Sequence, residues 1–198
     1  MSISKKLVTL CASLVVAAAA QAAPVIDQNA STHNTYMAGF AQTDLAQSFK
    51  QTASDISGAG ILLQAGIGSS DNVTISLYDK LPTDGGQLLA SGSAAGTAGS
   101  WVDVFWADVA ISANTTYYLV FSGNRTLGIA GDTNNPYSQG QVYANQGYQS
   151  FPGFDYTFRT YSDDGADNGH VPEPASLALV SGALMGAGFA ARKRKQAK

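Results

Sequence analysis

Hydrophobic and polar residues alternate with a period of two along much of this chain. Val, Ile and Leu alternate with Thr, Ser and Tyr over residues 73–78, and the segments 101–106 and 117–121 repeat the pattern. This alternation predicts strands with one buried and one exposed face. Shorter runs of the same kind lie at Ala46–Phe49, Ile56–Gln64, Gln87–Ser91, Leu127–Ala130, Gln141–Ala144 and Phe154–Tyr161.

The segments between these runs have the composition of turns. Residues 66–72, 82–86 and 96–99 are rich in Gly, Ser, Asn and Asp, and strong helix formers are scarce between the runs. We therefore predict an all-β fold with about eight or nine short strands, an antiparallel β-sandwich of jelly-roll type over residues 23–161. A closed β-barrel is the alternative.

The first 22 residues have the pattern of a secretory signal peptide. Lys5 and Lys6 precede an apolar run over residues 7–20, and Ala20 and Ala22 supply the small side chains that signal peptidase requires. We expect the export machinery to take up the chain and cleavage to follow Ala22. Cys11 is the only cysteine, so the mature chain would have no disulfide or thiolate metal site.

The last 28 residues have three parts. The motif Val171, Pro172, Glu173 and Pro174 comes first, an apolar segment at about 175–191 follows, and a basic cluster comes last. The apolar segment is just long enough for a transmembrane helix, and the basic cluster would stay in the cytoplasm. Residues 162–170 are acidic and contain glycine, which predicts a flexible linker. The basic cluster consists of Arg192, Lys193, Arg194 and Lys195.

This tail resembles the PEP-CTERM sorting signal of Gram-negative bacteria, which is also labelled after ice-binding proteins that carry it. The resemblance implies transient anchoring in the inner membrane, recognition by an exosortase near Pro172-Glu173-Pro174, and transfer to the cell surface or the extracellular matrix. The body more loosely resembles the jelly-roll ectodomains that precede such tails, at 46–49, 73–78, 115–120 and 158–161. The resemblance to these ectodomains implies no catalytic or binding chemistry for the body.

The charge of the body differs from that of the whole chain. Between residues 23 and 170, four Lys and Arg residues face thirteen aspartates, a net charge of −9, whereas the whole chain carries −3. Phosphate backbones need basic partners, so we expect no nucleic acid. An acidic body is compatible with divalent cations.

The sequence contains no arrangement typical of an enzyme. It lacks a Gly-x-Ser-x-Gly motif, and its only histidines, His33 and His170, lie in polar segments. Asp103 and Asp155 are the best candidates for a glycosidase pair, although each is expected on the solvent face of its strand. We expect a protein that is not an enzyme.

A calcium ion is the one cofactor that the sequence suggests. Asp132 and Asn134 begin a segment that starts like a calcium loop, but Pro136 and the missing downstream Glu break the EF-hand pattern. Jelly-roll domains often carry structural calcium, which is an analogy only. The alternative is that both residues form a turn.

Aromatic residues interleave with Asn, Gln and Gly over residues 131–154, which suggests a glycan-binding edge through Tyr137, Tyr143 and Tyr148. Aromatic rings stack on the apolar faces of sugars, and amides bond to the hydroxyl rim. The alternative is that these rings fill the core. Trp101 and Trp106 differ in parity and should face opposite sides of their strand.

The sequence as a whole predicts a non-catalytic exported protein of the surface or matrix that acts in adhesion or in association with exopolysaccharide. A self-associating matrix protein without a ligand is the first alternative, and a glycan hydrolase the second.

Overall fold

The computed structural model describes residues 23–163, which form an all-β sandwich of two antiparallel sheets. Within this range the one helical segment is a 3-10 turn at Pro82–Asp84. The strands are β1 Val25–Ala30, β2 Thr35–Gly39, β3 Leu45–Lys50, β4 Asp55–Ala65, β5 Ser70–Tyr78, β6 Leu88–Thr97, β7 Trp101–Ala110, β8 Thr116–Gly123, β9 Leu127–Asp132, β10 Val142–Ala144, β11 Gln149–Phe151, β12 Asp155–Tyr156 and β13 Phe158–Ser162.

The strands divide into one sheet of seven and one of six. The seven-stranded sheet has the order β1-β13-β4-β9-β12, with β7 also paired to β4 and β2 also paired to β9. The six-stranded sheet has the order β11-β10-β3-β8-β5-β6. This arrangement is consistent with the jelly-roll-like sandwich expected from the sequence. The strands form two separate sheets, so the closed-barrel alternative is wrong.

The core lies between the sheets and is built by the alternating strands. Ile75 and Leu77 of β5, Leu119 of β8 and Ile61 of β4 are fully buried. Their neighbours in sequence on β5 and β8 point to the outer face of the six-stranded sheet, as period-two alternation requires. The alternation along each strand therefore largely decides which side chains lie on the outer face.

Most of the strands expected from alternation are present, with longer or shifted ends. β6 runs to Thr97, into the predicted turn, and β5 begins at Ser70, inside the predicted loop. The run predicted at 154–161 is two strands, because Thr157 lies between β9 and β4 and bonds to both through its backbone. The last strand extends to Ser162, one residue past the predicted domain end.

Three strands were not anticipated, and the expected number of eight or nine was too low. β1 and β2 come from the segment that reads as a polar stretch, and β11 lies in a short run of polar residues. β1 has weak alternation because it is an edge strand, with Val25 44% and Ile26 47% exposed. Strand content of this kind is set by pairing partners, which the local sequence does not encode.

The expected signal peptide, sorting motif and transmembrane helix lie outside the described residues. Within 23–163 no helix is long and apolar enough to span a bilayer.

A buried carboxylate fixes the loop between β8 and β9 to the start of β5. Asp71 accepts backbone hydrogen bonds from Asn72 at 2.6 Å, Asn124 at 2.8 Å and Thr126 at 3.0 Å. Burial acts to raise the pKa of Asp71, but these N–H donors outweigh it and lower the pKa below 3.8. The ionised carboxylate is therefore part of the folded structure.

We predict that Asp71→Asn lowers the free energy of unfolding at neutral pH by about 1–2 kcal/mol, because the amide replaces an oxygen that accepts a backbone N–H. The folded-state pKa of Asp71 lies below 3.8. The extra stability of the wild type is therefore fully present at pH values well above 3.8, and it is lost as the pH falls through the folded-state pKa. Urea unfolding at neutral and acid pH measures it. Asp84→Asn, at an exposed position, is the control, and an equal loss in both variants would contradict this role.

Candidate functional site

The strongest candidate site is the outer face of the six-stranded sheet. Tyr143 of β10 lies opposite Ala46, and Tyr118 of β8 lies opposite Ser48 of β3. Tyr78 of β5 is paired directly with Tyr118, and residues paired across antiparallel strands share a face. The three tyrosines therefore lie on one face.

Tyr148, in the turn between β10 and β11, joins the same group. The neighbouring Gly147 N–H donates to Asp44 Oδ2 at 2.7 Å. Burial, then Asp44 and Tyr78, raise the pKa of Tyr148 to about 12. We call Tyr78, Tyr118, Tyr143 and Tyr148 the tyrosine face. All four side chains are half-buried, so each keeps part of its ring accessible to solvent.

The rings of the tyrosine face support one another. The rings of Tyr118 and Tyr143 meet edge to face, with centroids 5.7 Å apart, a favoured aromatic geometry. Burial, and then the neighbouring Tyr143, raise the pKa of Tyr118, and Gln141 Nε2 donates to the Tyr143 hydroxyl at 2.9 Å. The Tyr118 hydroxyl is therefore a neutral donor and acceptor at neutral pH.

Small hydroxyl side chains extend the polar part of this face. Thr74 Oγ1 and Ser93 Oγ lie 2.7 Å apart, and Ser76 Oγ and Ser91 Oγ lie 2.9 Å apart. These pairs link β5 to β6 beside the tyrosines. The surface therefore presents aromatic rings next to rows of hydroxyl groups.

Tyr137 does not take the exposed position that a glycan-binding role requires, and the core alternative is correct for it. Its side chain is 7% exposed, and its ring meets Phe158 edge to face with centroids 5.1 Å apart. Its hydroxyl donates to Gln28 Oε1 and accepts from the Lys50 N–H, both at 3.0 Å. A ring held in the core has no free face for a sugar.

The solvent-face position predicted for Asp155 is also wrong. Asp155 is fully buried, not on a solvent face. Gln47 Nε2 donates to Oδ1 at 2.8 Å and the Tyr137 N–H donates to Oδ2 at 3.0 Å. Burial raises the pKa of Asp155, these donors lower it, and nearby Asp132 raises it further. Both oxygens have structural partners.

Asp103 lies on the outer face of the seven-stranded sheet as expected, but it is paired. Arg159 Nε donates to Asp103 Oδ1 at 2.8 Å, and the Tyr161 hydroxyl donates to the same oxygen at 2.8 Å. The guanidinium also lies 4.2 Å from the ring of Trp101. Trp106 turns inward, packs on the core and donates to the Ile56 carbonyl, so the two tryptophans face opposite sides as predicted.

The proposed calcium residues, Asp132 and Asn134, lie in a turn that is hydrogen-bonded to Asn34. Asp132 Oδ1 accepts from Asn34 Nδ2 and from the Asn134 N–H, both at 2.9 Å. In the part of the chain that the structure describes, no group of three or more His, Cys, Asp or Glu side chains is placed to hold a metal ion. These contacts are hydrogen bonds within the protein, and calcium at Asp132 and Asn134 stays a prediction of the sequence.

Tyr78 and Tyr118 are the residues that sequence reasoning missed. Both have the exposed parity in strongly alternating strands, which is the signal that identifies them. Adjacent strands then bring them beside Tyr143, and that pairing is a property of the sheet order.

Comparisons with known proteins concern the tail. A family model described as a PEP-CTERM protein-sorting motif matches residues 170–195. No curated protein matches the chain, and no solved structure matches it. The motif indicates an exported protein that passes through the membrane and is processed by an exosortase.

We predict that Tyr137→Phe lowers the free energy of unfolding by about 1–3 kcal/mol, because the Lys50 N–H and Gln28 Oε1 lose a buried partner. Tyr143→Phe makes the same change on the tyrosine face and should have a smaller effect. Urea unfolding of both variants measures the difference. Equal stabilities would contradict the structural role of Tyr137.

Proposed function

We propose that the sandwich is a non-catalytic surface or matrix module that binds neutral polysaccharide through the tyrosine face. The observation that carries this proposal is the gathering of Tyr78, Tyr118, Tyr143 and Tyr148 on one sheet face beside rows of hydroxyl groups. The sorting tail supports it, because export would bring the domain to polysaccharides outside the cell.

The chemistry of the tyrosine face fits sugars. A pyranose ring has an apolar C–H face that packs on an aromatic ring, and a rim of hydroxyls that needs donors and acceptors. Half-buried tyrosines supply both, since the ring is fixed by its neighbours and loses little freedom on binding. Several tyrosines in one surface would contact successive sugars, so weak single contacts add up along a polymer.

Charge favours a neutral polysaccharide over an anionic one. The body carries a net charge of −9 between residues 23 and 170. Asp44 lies near Tyr148 and Asp84 lies near Tyr118, as their effects on the two tyrosine pKa values indicate. Carboxylates at these edges accept hydrogen bonds from sugar hydroxyls and repel uronates or sulfates.

Two features support a binding module over a hydrolase. The carboxylate oxygens of Asp155 accept hydrogen bonds from Gln47 and Tyr137, and Asp103 is ion-paired with Arg159. A glycosidase needs one carboxyl to give a proton and another to act on the sugar or water. Carboxylates engaged in this way support the fold.

Self-association is the second candidate, and exposed apolar residues on the other sheet favour it. Phe105 is 54% exposed on β7, and Val25 and Ile26 lie exposed on edge strand β1. Edge strands and exposed apolar side chains are common sites of contact between chains. Sedimentation over a range of concentrations tests this: a dimer that Phe105→Ala disrupts would favour it, and a monomer at every concentration would remove it.

We predict that Tyr143→Ala and Tyr148→Ala each weaken binding of the mature domain to neutral exopolysaccharide from its host by about fivefold to tenfold, because each removes one stacking ring. Affinity electrophoresis or calorimetry with purified polysaccharide measures the change. Phe105→Ala is the matched control, since it removes an exposed ring from the opposite sheet. Equal losses in all three variants, or no binding by the wild type, would reject the proposal.

A second prediction concerns the tail. Replacing Pro172, Glu173 and Pro174 with Ala should leave the chain uncut near this motif, because an extended proline-flanked segment is what a processing enzyme binds. The mass of the protein from host membranes and medium measures the result. A C-terminally trimmed product from the variant, matching the wild type, would contradict the role of the motif.

A further inference from the structure

A row of large side chains crosses the strands of the six-stranded sheet on its outer face. Leu88 of β6 is paired with Tyr78 of β5, and Tyr78 is paired in turn with Tyr118 of β8. Paired residues of neighbouring antiparallel strands lie side by side on one face, and Leu88 is 55% exposed there. The row therefore runs at right angles to the strands and begins at β6, the last strand of this sheet.

Strand β3 allows the row to continue to β10. Its outward residues Ala46 and Ser48 are small, and they are paired with Val120 and Tyr118 of β8. On the other side of β3, Tyr143 is paired with Ala46. Strands two positions apart are separated by about 10 Å, yet the ring centroids of Tyr118 and Tyr143 are 5.7 Å apart, so the two rings meet above β3. We call Leu88, Tyr78, Tyr118 and Tyr143 the transverse row.

Two further rows of small side chains run parallel to the transverse row. Each lies two residues further along the strands, a step of about 7 Å, and most of its members carry a hydroxyl group. No side chain in the three rows is charged, although the body as a whole is acidic. The surface therefore has an apolar line with hydroxyl groups along one side. The two rows consist of Ser91, Ser76 and Val120, and of Ser93, Thr74 and Ser122.

This layout matches the shape of an extended glycan. From β6 to β10 the transverse row crosses four strand spacings, about 19 Å, which is the length of roughly four pyranose units in an extended chain. Equatorial β-linkages keep such a chain straight, so successive sugars stay over the row. An α-linked chain coils instead and leaves a straight row after its first sugars.

We propose that the transverse row binds an extended, unbranched and neutral β-linked glycan that lies across the strands, with its hydroxyl groups toward Ser76 and Ser91. The inference rests on the proposed function of the tyrosine face, and it adds the class of polysaccharide and the direction of the chain. It also gives Leu88 a binding role, because its exposed side chain packs on the sugar at the β6 end of the row.

Cello-oligosaccharides are the probes, because they are neutral, unbranched and β-linked. Calorimetry with the wild-type mature domain should show affinity rising about tenfold or more from cellobiose to cellotetraose, as each added sugar reaches another part of the row, and little further gain with cellohexaose. Maltohexaose, the α-linked chain of the same sugar, should bind about tenfold more weakly than cellohexaose. Equal affinity for cellobiose and cellohexaose, equal affinity for the two hexasaccharides, or no binding of cellohexaose would overturn the inference.

Leu88→Ala tests the β6 end of the row, and Ile67→Ala is its matched control. Both remove an exposed aliphatic side chain, 55% exposed at Leu88 and 90% at Ile67, and Ile67 precedes β5 at the opposite end of that strand from Tyr78. Leu88→Ala should weaken cellohexaose binding about threefold, because apolar contact area is lost, and should leave the melting temperature unchanged. Cellobiose is too short to reach from the tyrosines to Leu88, so its affinity should not change.

The control variant Ile67→Ala should bind both ligands as the wild type does. Wild-type affinity of Leu88→Ala for cellohexaose, or an equal loss in Ile67→Ala, would overturn the role of Leu88 and with it the chain direction.

Tyr143→Ala separates this inference from the proposed function. If Tyr143→Ala weakens binding to host polysaccharide while cellohexaose binds no better than cellobiose, the proposed function stands and the extended chain across the strands is wrong. If Leu88→Ala weakens cellohexaose binding and Tyr143→Ala changes the affinity for neither ligand, the tyrosine face fails as the binding surface, and a glycan site limited to β5 and β6 replaces it.

Discussion

The two sheets of this protein are connected by a buried carboxylate and the tyrosine above it. Asp155 of β12 accepts from Gln47 of β3, and its other oxygen accepts from the N–H of Tyr137, whose hydroxyl reaches Gln28 of β1 and the backbone of Lys50. A carboxylate without water is costly unless every oxygen has a partner. The contacts therefore fix the register of strands from both layers and leave little freedom for the sheets to slide.

That fixed register decides which side chains face outward. With β3, β8 and β5 held in order, Tyr118 is placed between Tyr143 and Tyr78. The β10–β11 hairpin then carries Tyr143 on the outer side of the same sheet. A rigid scaffold with small, pre-arranged sites is the usual way in which β-sandwiches bind ligands from their edges and faces.

Much of the fold follows from local pattern. The period-two runs at 73–78, 101–106 and 117–121 all become strands, because their apolar residues bury on one side of a sheet. The polar strands β1 and β11 were missed, since an edge strand gains its stability from a partner that is far away in sequence. Alternation of apolar and polar residues indicates a strand with one buried face, and it does not identify an edge strand made of polar residues.

The candidate site was predictable only in part. Tyr143 and Tyr148 are on the tyrosine face, yet Tyr137, in the same Asn- and Gln-rich segment, is core. The local composition is the same for both outcomes. The difference is that the Tyr137 ring packs edge to face on Phe158, a residue of another strand. Asp155 shows the same limit, because its burial depends on Gln47, which lies 108 positions earlier.

The central claim, that the outer face of the six-stranded sheet is the polysaccharide-binding surface, is tested most directly by mapping. Backbone amide shifts of the mature domain should be recorded during titration with fragments of neutral host polysaccharide. We expect shifts clustered on β3, β5, β8 and the β10–β11 hairpin, with the amides of β7 and β13 unshifted. Shifts confined to β7 and β13, around Phe105 and Arg159, would contradict it.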